Sequence, residues 1–305
     1  FEITESHLKK SFLGMDRAVR DALEYIEAIH SKTNQKFSVP TGFYELDEML
    51  GGFQKSDLVI IAARPSMGKT AFALTLARNA AIEHKVPVGI FSLEMSTMQL
   101  IIRMLCAEGR LNAHLVRTGK LPSSEGVKLS KNAHKLIESP IYVDDTPAQT
   151  VLEIRAKARR LKVEKNIGMI IIDYLQLMQG PAKAESRERE ISHISRSLKS
   201  LAKELNIPVL ALAQLNRAVE TRNDSIEQDA DVVIFLNRPE YYGMMKDENG
   251  NSLEGVAEVI VGKQRNGPTG DVKLAFIKEY ARFENLAHAR QIEEYTEISS
   301  EEDII

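Results

Sequence analysis

Gly68, Lys69 and Thr70 close the run Leu58 to Thr70, LVIIAARPSMGKT, in which an apolar stretch passes at once into a turn. Residues of these types in this order do phosphate chemistry. The backbone N–H groups of Arg64, Ser66, Met67, Gly68 and Ala71 can curl around a phosphate, Lys69 can reach its β/γ oxygens, and the Thr70 hydroxyl can hold Mg²⁺. Ala63 stands where such a loop usually begins with glycine. Three more polar groups follow apolar runs: Glu94 just after PVGIFS, Asp173 closing GMIIID and Gln214 closing PVLALA. In nucleotide hydrolysis a carboxylate placed like Asp173 orders the Mg²⁺ shell, and one placed like Glu94 polarises the attacking water. A glutamine such as Gln214 can hydrogen-bond the γ-phosphate. Taken singly, Glu94 also reads as a solvated charge and Gln214 as a strand-capping amide.

These residues need elements that bring them to one edge. Leu58 to Ala63 shows no alternation and reads as a strand buried on both faces, and the helix opening at Lys69 turns its positive end to the same anion. Pro87–Ser92, Gly168–Asp173, Pro208–Ala213 and Val232–Leu236 read as further buried strands, with Ile141–Asp144 as another. Between them, capping boxes at Ser96/Gln99 and Thr150/Glu153 open helices to about Ala107 and Lys165, and a helix runs from about Glu190 to Leu205. Thr41 to Phe53 reads as a short helix capped by Thr41 and ended by Gly51-Gly52. Repeated strand–helix–strand units predict an α/β fold with a doubly wound, mostly parallel sheet, whose ligands sit at the C-terminal strand edge.

The remaining stretches are less regular. Residues 109–139 are polar and helical in places. Residues 180–189 and 215–228 read as exposed loops at the ligand edge; their cations Lys183, Arg187, Arg189, Arg217 and Arg222 are candidates for contact with an anionic ligand. Arg155, Lys157, Arg159, Arg160 and Lys162 read as a solvated helix face. Val256–Val261 and Val272–Ile277 flank GKQRNGPTGD and predict a C-terminal β-hairpin with Lys263 and Arg265 near its turn. Ahead of the sheet, Phe12, Met15, Val19, Ala22, Leu23, Ile26 and Ile29 recur at spacings of three and four, an amphipathic helix whose stripe needs a partner on its own domain or on a neighbouring subunit. The expected divisions are residues 1–37 as linker helix and connection, 38–286 as the globular domain and 287–305 as an acidic tail.

Composition narrows the class. At 305 residues with 43% hydrophobic and 27% charged, the chain can bury one large core or two modest ones. A net charge of −3 excludes an overall basic surface, so any nucleic-acid binding needs locally placed cations. The single cysteine, Cys106, rules out an internal disulfide and favours a reducing, cytoplasmic setting. No apolar run approaches the roughly 18–20 residues of a membrane span, and no signal peptide precedes the first residues. Phe1 in place of a starting Met leads us to expect a fragment with something N-terminal missing.

With these pieces in place, the chain resembles the C-terminal motor domain of the bacterial replicative DNA helicase (DnaB) family. The stretches that carry the resemblance are TGFYELDEMLGGF, ARPSMGKTAFA, FSLEMS, IIIDYLQLM, ALAQLNRAVE, SIEQDADVVIFL and KQRNGPTG. The family implies a RecA-like P-loop fold in a homo-hexameric ring, with ATP and Mg²⁺ between subunits and single-stranded DNA through the centre. It also implies travel from 5′ to 3′ at a forked duplex, with primase and a helicase loader as partners. Carried over, Ser66, Gly68, Lys69, Thr70 and Ala71 contact phosphates, Thr70 and Asp173 organise Mg²⁺, Glu94 activates water and Gln214 couples the γ-phosphate to the neighbouring loop. Lys263 and Arg265 match the basic pair that reaches the adjacent subunit's site, and the helix at 12–30 matches the linker helix. Two departures stand out. No stretch of these 305 residues resembles the family's N-terminal domain, and Thr221–Asp224 runs straight into Ser225–Glu227 where the family carries a longer, basic, DNA-contacting loop. Two rival classes share the phosphate chemistry: a RecA-like recombination ATPase, against which KQRNGPTG and SIEQDAD speak, and a nucleotide-gated binding or signalling ATPase with no DNA pore.

Overall fold

The computed structural model describes residues 14–30, 38–180, 187–215 and 228–286. The expected acidic tail, the connection after the first helix, the candidate cations Lys183, Arg217 and Arg222, and the fused TRND–SIEQ junction lie outside these residues.

The chain divides into two compact units, one ending at Ser38 and one beginning at Val39. In the first, helix α1 (Met15–His30) carries the predicted stripe, and Met15, Val19, Leu23 and Ile26 along it are exposed. The second unit is built on one sheet. Its strands, in chain order, are β1 (Leu58–Ala63), β2 (Val88–Ser92), β3 (Ile141–Asp144), β4 (Met169–Asp173), β5 (Val209–Gln214), β6 (Val232–Asn237), β7 (Val256–Gln264), β8 (Gly270–Ile277) and β9 (Arg282–Asn285). Among the described residues the sheet has nine strands in the order β9-β8-β7-β6-β1-β5-β4-β2-β3. The six from β6 to β3 are parallel, and β7, β8 and β9 continue the sheet antiparallel beyond β6.

All six residues of β1 are buried, as its unbroken apolar run requires. Successive side chains point to opposite faces: Val59, Ile61 and Ala63 join one core, Leu58, Ile60 and Ala62 the other. The first core includes Phe72 and Leu76 of α3 (Lys69–Arg78) with Leu100 and Met104 of α4 (Thr97–Gly109). The second takes Ile154 and Ala158 of α7 (Val151–Lys165) with Ile194, Leu198 and Leu201 of α8 (Arg187–Leu205). Each fully buried Leu or Ile contributes on the order of 2 kcal/mol by leaving water. Both predicted capping boxes form, Ser96 with Gln99 and Thr150 with Glu153.

Several boundaries differ from the sequence reading. The short helix α2 is Tyr44–Leu50 with Phe43 at its N-cap, so Thr41 is two residues too early to cap it. Thr41 is instead buried, its hydroxyl accepting the Phe43 N–H at 3.1 Å, while the Asp47 carboxylate accepts the N–H groups of Thr41 and Gly42 at 2.7 and 3.0 Å. Gly51 ends the helix in the left-handed conformation, as expected. Helix α8 begins at Arg187, which places Arg187 and Arg189 on a helix rather than in a loop. The stretch 109–139 contains α5 (Ala113–Arg117) and α6 (Ser123–Ile137). Strand β9 was not foreseen. The four residues RFEN carry no alternation long enough to read, and only pairing with β8 defines them as a strand. The basic face of α7 is tied down: Arg155 and Arg159 pair with Glu204, Lys157 with Asp144 and Arg160 with Glu164, while Lys162 donates to the Ile167 carbonyl.

Candidate nucleotide site at the strand edge

Four strand ends meet where the parallel sheet presents its C-terminal edge. In register, Ala63 of β1 lies beside Gln214 of β5, and Ser92 of β2 beside Asp173 of β4, with Glu94 two residues beyond Ser92. The loop from Arg64 to Gly68 leaves β1 and turns directly into α3, so the unpaired N–H groups of the helix's first turn open onto this edge. Ser66 and Gly68 both adopt positive φ, 68° and 92°. A Cβ on Gly68 would lie 3.2 Å from Phe276 and 3.3 Å from Phe283, so a side chain there meets both backbone strain and rings packed beneath it.

An open cleft of about 1030 Å³ runs over the loop and is lined by Arg64, Ser66, Gly68, Lys69, Thr70, Ala71, Glu94 and Gln214. Met67 turns inward, its side chain in the core and its N–H directed to the Arg64 carbonyl at 3.4 Å. On the floor, Thr70 Oγ1 donates to Asp173 Oδ2 at 2.7 Å. Burial raises the Asp173 carboxyl above its ordinary range, and the Thr70 hydrogen bond and the Lys69 charge offset this in part. Burial likewise lowers Lys69, opposed by Asp173 and Glu94. The Lys69 ammonium lies 4.7 Å from the centre of the Tyr174 ring.

Asp173 Oδ1 is buried and makes no hydrogen bond. An orphaned carboxylate oxygen beside a hydroxyl, both hard donors, suits a magnesium ion, which Asp173 and Thr70 would hold. Among the described residues no cluster of three or more His, Cys, Asp or Glu could hold a metal.

Sequence reading missed several residues here. Gln99, Arg103, His114 and Arg117 also line the cleft. Gln99 and Arg103 are four apart on α4, and His114 and Arg117 three apart on α5, so each pair shares a helix face; nothing local says that these faces look onto the phosphate loop. Arg238, buried, stacks 4.0 Å from the Phe276 ring centre and points Nη1 at the Ser66 carbonyl 3.4 Å away. The Gln176 side-chain amide brackets the backbone of Gln214, donating to its carbonyl at 3.1 Å and accepting its N–H at 3.2 Å. The Gln176 carbonyl in turn accepts from Arg187, which also pairs with Glu190. Arg189 is exposed on the first turn of α8.

Lys263 and Arg265 do not join this cleft. Val233 of β6 pairs with Lys263 and Ile234 with Val261, so Gly262 is a bulge residue that re-aims the end of β7. Glycine is needed there because a Cβ would fall 2.6 Å from the Phe235 ring. The bulge leaves Lys263 and Arg265 at the N-terminal edge of the sheet, both within 3.4 Å of the Gln228 carbonyl.

That edge holds a charge cluster of its own. Lys199 of α8 bridges Asp231 and Asp57, 3.7 Å from the latter, and Arg265 lies 3.6 Å from Asp231. Burial, and then the Asp231 charge, push the Asp57 carboxyl up to about 6; Lys199 and Arg265 offset only part of this. The folded chain therefore keeps a proton that the unfolded chain, with an aspartate near 4, has released. Stability from this group falls as pH rises from about 4 to about 6 and stays reduced above that range. Asp57→Asn is expected to melt at a higher temperature than wild type at pH 7.5, with the gap closing below about pH 4. A lower midpoint for the variant at pH 7.5 would contradict this assignment.

Comparison with known proteins places this geometry. The sequence model described as DnaB-like helicase C terminal domain matches residues 38–285. The chain is 51% identical over 299 residues to the replicative DNA helicase DnaB of Geobacillus stearothermophilus, covering 93% of this chain and 64% of that protein. It is 49% identical over 298 residues to the replicative DNA helicase DnaC of Bacillus subtilis (strain 168), with the same 93% and 64% coverage. The chain thus spans just under two thirds of the length of these relatives. Among solved structures, the ATPase domain of G40P matches with a TM-score of 0.80 at 39% identity, over 90% of this chain and 100% of that one. A DnaB-like replicative helicase, in a structure that describes its interactions with primase, matches with a TM-score of 0.77 at 39% identity, over 93% of this chain and 70% of that one. With its phosphate loop, Thr70–Asp173 pair and basic hairpin on the same RecA-like sheet, the chain belongs to the DnaB-like helicase C-terminal domain family.

Proposed function

We propose that this chain is the ATP-hydrolysing motor of a replicative DNA helicase, working as a homo-hexameric ring that moves 5′ to 3′ on single-stranded DNA and opens a forked duplex. The observation that carries the reading is the Thr70–Asp173 hydrogen bond on the floor of a cleft whose rim holds Lys69, Glu94 and Gln214. In this reading the first-turn N–H groups of α3 and Lys69 bind the β- and γ-phosphates, and Thr70 with Asp173 holds Mg²⁺. Magnesium, when bound, neutralises charge building on those oxygens. Glu94 accepts a proton from water as the water oxygen bonds to the γ-phosphorus and the bond to the ADP oxygen breaks. Gln214 senses the γ-phosphate, and Lys263 and Arg265 serve the next subunit's nucleotide in trans. The exposed stripe of α1 docks on a neighbouring subunit.

Grip on DNA in this reading is mainly phosphate contact, hence indifferent to sequence and weakened by salt. Arg187 and Arg189, at the root of one loop, belong to that surface with Lys183, Arg217 and Arg222. Primase is a proposed partner because one matched helicase is described with it, and a helicase loader because the family resemblance implies one. The setting is the cytoplasm at the replication fork; no helix of the described residues is long and apolar enough to cross a membrane.

The test is ATP-dependent displacement of a labelled strand from a forked duplex, with Glu94→Gln as the partner measurement. We expect displacement by the wild-type chain and its loss, with a fall of about 10²-fold or more in ATP hydrolysis, in the variant. Hydrolysis stimulated by single-stranded DNA without displacement, combined with pairing of homologous strands, would transfer the chain to recombination.

A further inference from the structure

We propose that Asp231 is a positioning residue for Arg265, its charge pairing with the guanidinium on the Nε side so that Nη1 is presented to the neighbouring subunit's nucleotide. The proposal rests on the reading of Arg265 as a residue that acts in trans. Asp231 is 5% exposed and fixed at the root of β6 by its own backbone: its N–H donates to the Leu58 carbonyl at 2.9 Å, and its carbonyl accepts the Arg265 N–H at 2.9 Å. The two carboxylate oxygens have different duties. Oδ2 accepts the Leu58 N–H at 2.8 Å and the Lys199 ammonium, which fixes the plane of the carboxylate against β1 and α8. Oδ1 is left facing Arg265 Nε at 3.6 Å.

The arginine's other contact, Nη2 to the Gln228 carbonyl at 3.3 Å, sits near the same root, and Nη1 makes no hydrogen bond among the described residues. The side chain is half exposed. A planar guanidinium held along one edge has its remaining donors fixed in direction, which a flexible ammonium does not. Because Lys199 already satisfies Oδ2, the carboxylate can hold Arg265 without drawing its whole fork inward. Pre-set direction is what a group needs if it is to stabilise charge only in the transition state.

The experiment is a double-mutant cycle on DNA-stimulated ATP hydrolysis with Asp231→Asn, which keeps an acceptor for Leu58 but removes the charge facing Arg265, and Arg265→Ala. Asp231→Asn is expected to lower kcat about tenfold with KM for ATP within about twofold of wild type, since only transition-state contact is lost. Added to Arg265→Ala, it is expected to cause no further fall. A further tenfold fall in the double variant would make Asp231 merely structural and overturn the proposal. So would an Asp231→Asn chain with wild-type kcat beside an impaired Arg265→Ala. If Arg265→Ala itself keeps wild-type kcat, the trans reading of Arg265 fails and takes the proposal with it. Should Asp231→Asn not fold, Arg265→Lys tests the same requirement without disturbing β6. It keeps the charge but lacks the rigid guanidinium, both the Nε side and the Nη donors, so kcat near the Arg265→Ala level supports the need for a directed fork and wild-type kcat overturns the proposal.

Discussion

In the ring proposed above, subunits carrying Lys69→Ala and subunits carrying Arg265→Ala, each expected to hydrolyse ATP about 10³-fold more slowly than wild type, should regain hydrolysis when mixed. The reason is geometric. The phosphate loop follows the C-terminal end of β1, whereas Lys263 pairs with Val233 near the start of β6, which lies beside Val59 and Ile60. Three to four residues of strand, at about 3.3 Å each, separate the two positions before the loop itself is counted. Arg265 is turned to Asp231 and Gln228, at the edge away from the cleft. An arginine so placed serves a site on another molecule or none. Random mixing leaves about one interface in four with both parts intact, so activity should rise far above either parent. Mixed rings, verified by two affinity tags, that stay at the parental level would sink the trans assignment.

Gly68→Ala is expected to cost on the order of 2–4 kcal/mol and to abolish measurable nucleotide binding. A Cβ in the left-handed region costs roughly 1–2 kcal/mol, and crowding a packed core adds a similar amount. Both apply here, because φ is 92° and Phe276 and Phe283 lie 3.2 and 3.3 Å from where the methyl group would sit. Phe283 also meets Phe72 of α3 edge-on, at 5.1 Å between centres, so the rings cannot recede without moving the helix that carries Lys69 and Thr70. Relief of this crowding would move the first-turn N–H groups away from the phosphate position. Thermal melting and equilibrium binding of a fluorescent nucleotide check the two effects separately. A variant that melts with wild type and binds nucleotide within threefold would show that the loop tolerates a side chain there.

Much of the sheet was legible because its central strands carry their own signal. A strand buried on both faces must be apolar throughout, and Leu58–Ala63, Val88–Ser92, Met169–Asp173 and Val209–Ala213 are so nearly continuous that no helix pattern competes. Capping boxes were legible for a similar reason, since Ser96 with Gln99 and Thr150 with Glu153 act within four residues. Thr41 misled because its type is right for a cap while the helix it precedes starts three residues later, where Asp47 supplies the turn instead. Strand β9 and the Arg187 helix start were illegible, the first being defined by pairing with β8 and the second by a run of charged residues with no apolar periodicity.

By itself the sequence determined the phosphate loop, the strand ends that carry Glu94, Asp173 and Gln214, and the alternation of strands and helices, because each depends on residues close together in the chain. Only the tertiary structure decided which faces look inward on the cleft, so Arg103, Arg117 and Arg238 enter the site through packing of elements far apart in sequence. It alone showed that Asp173 keeps one buried oxygen unpaired, and that Asp231, Lys199 and Arg265 meet at the opposite edge. Hydrogen bonds and ion pairs between distant segments leave no periodic mark in the sequence. Strand order and register create them.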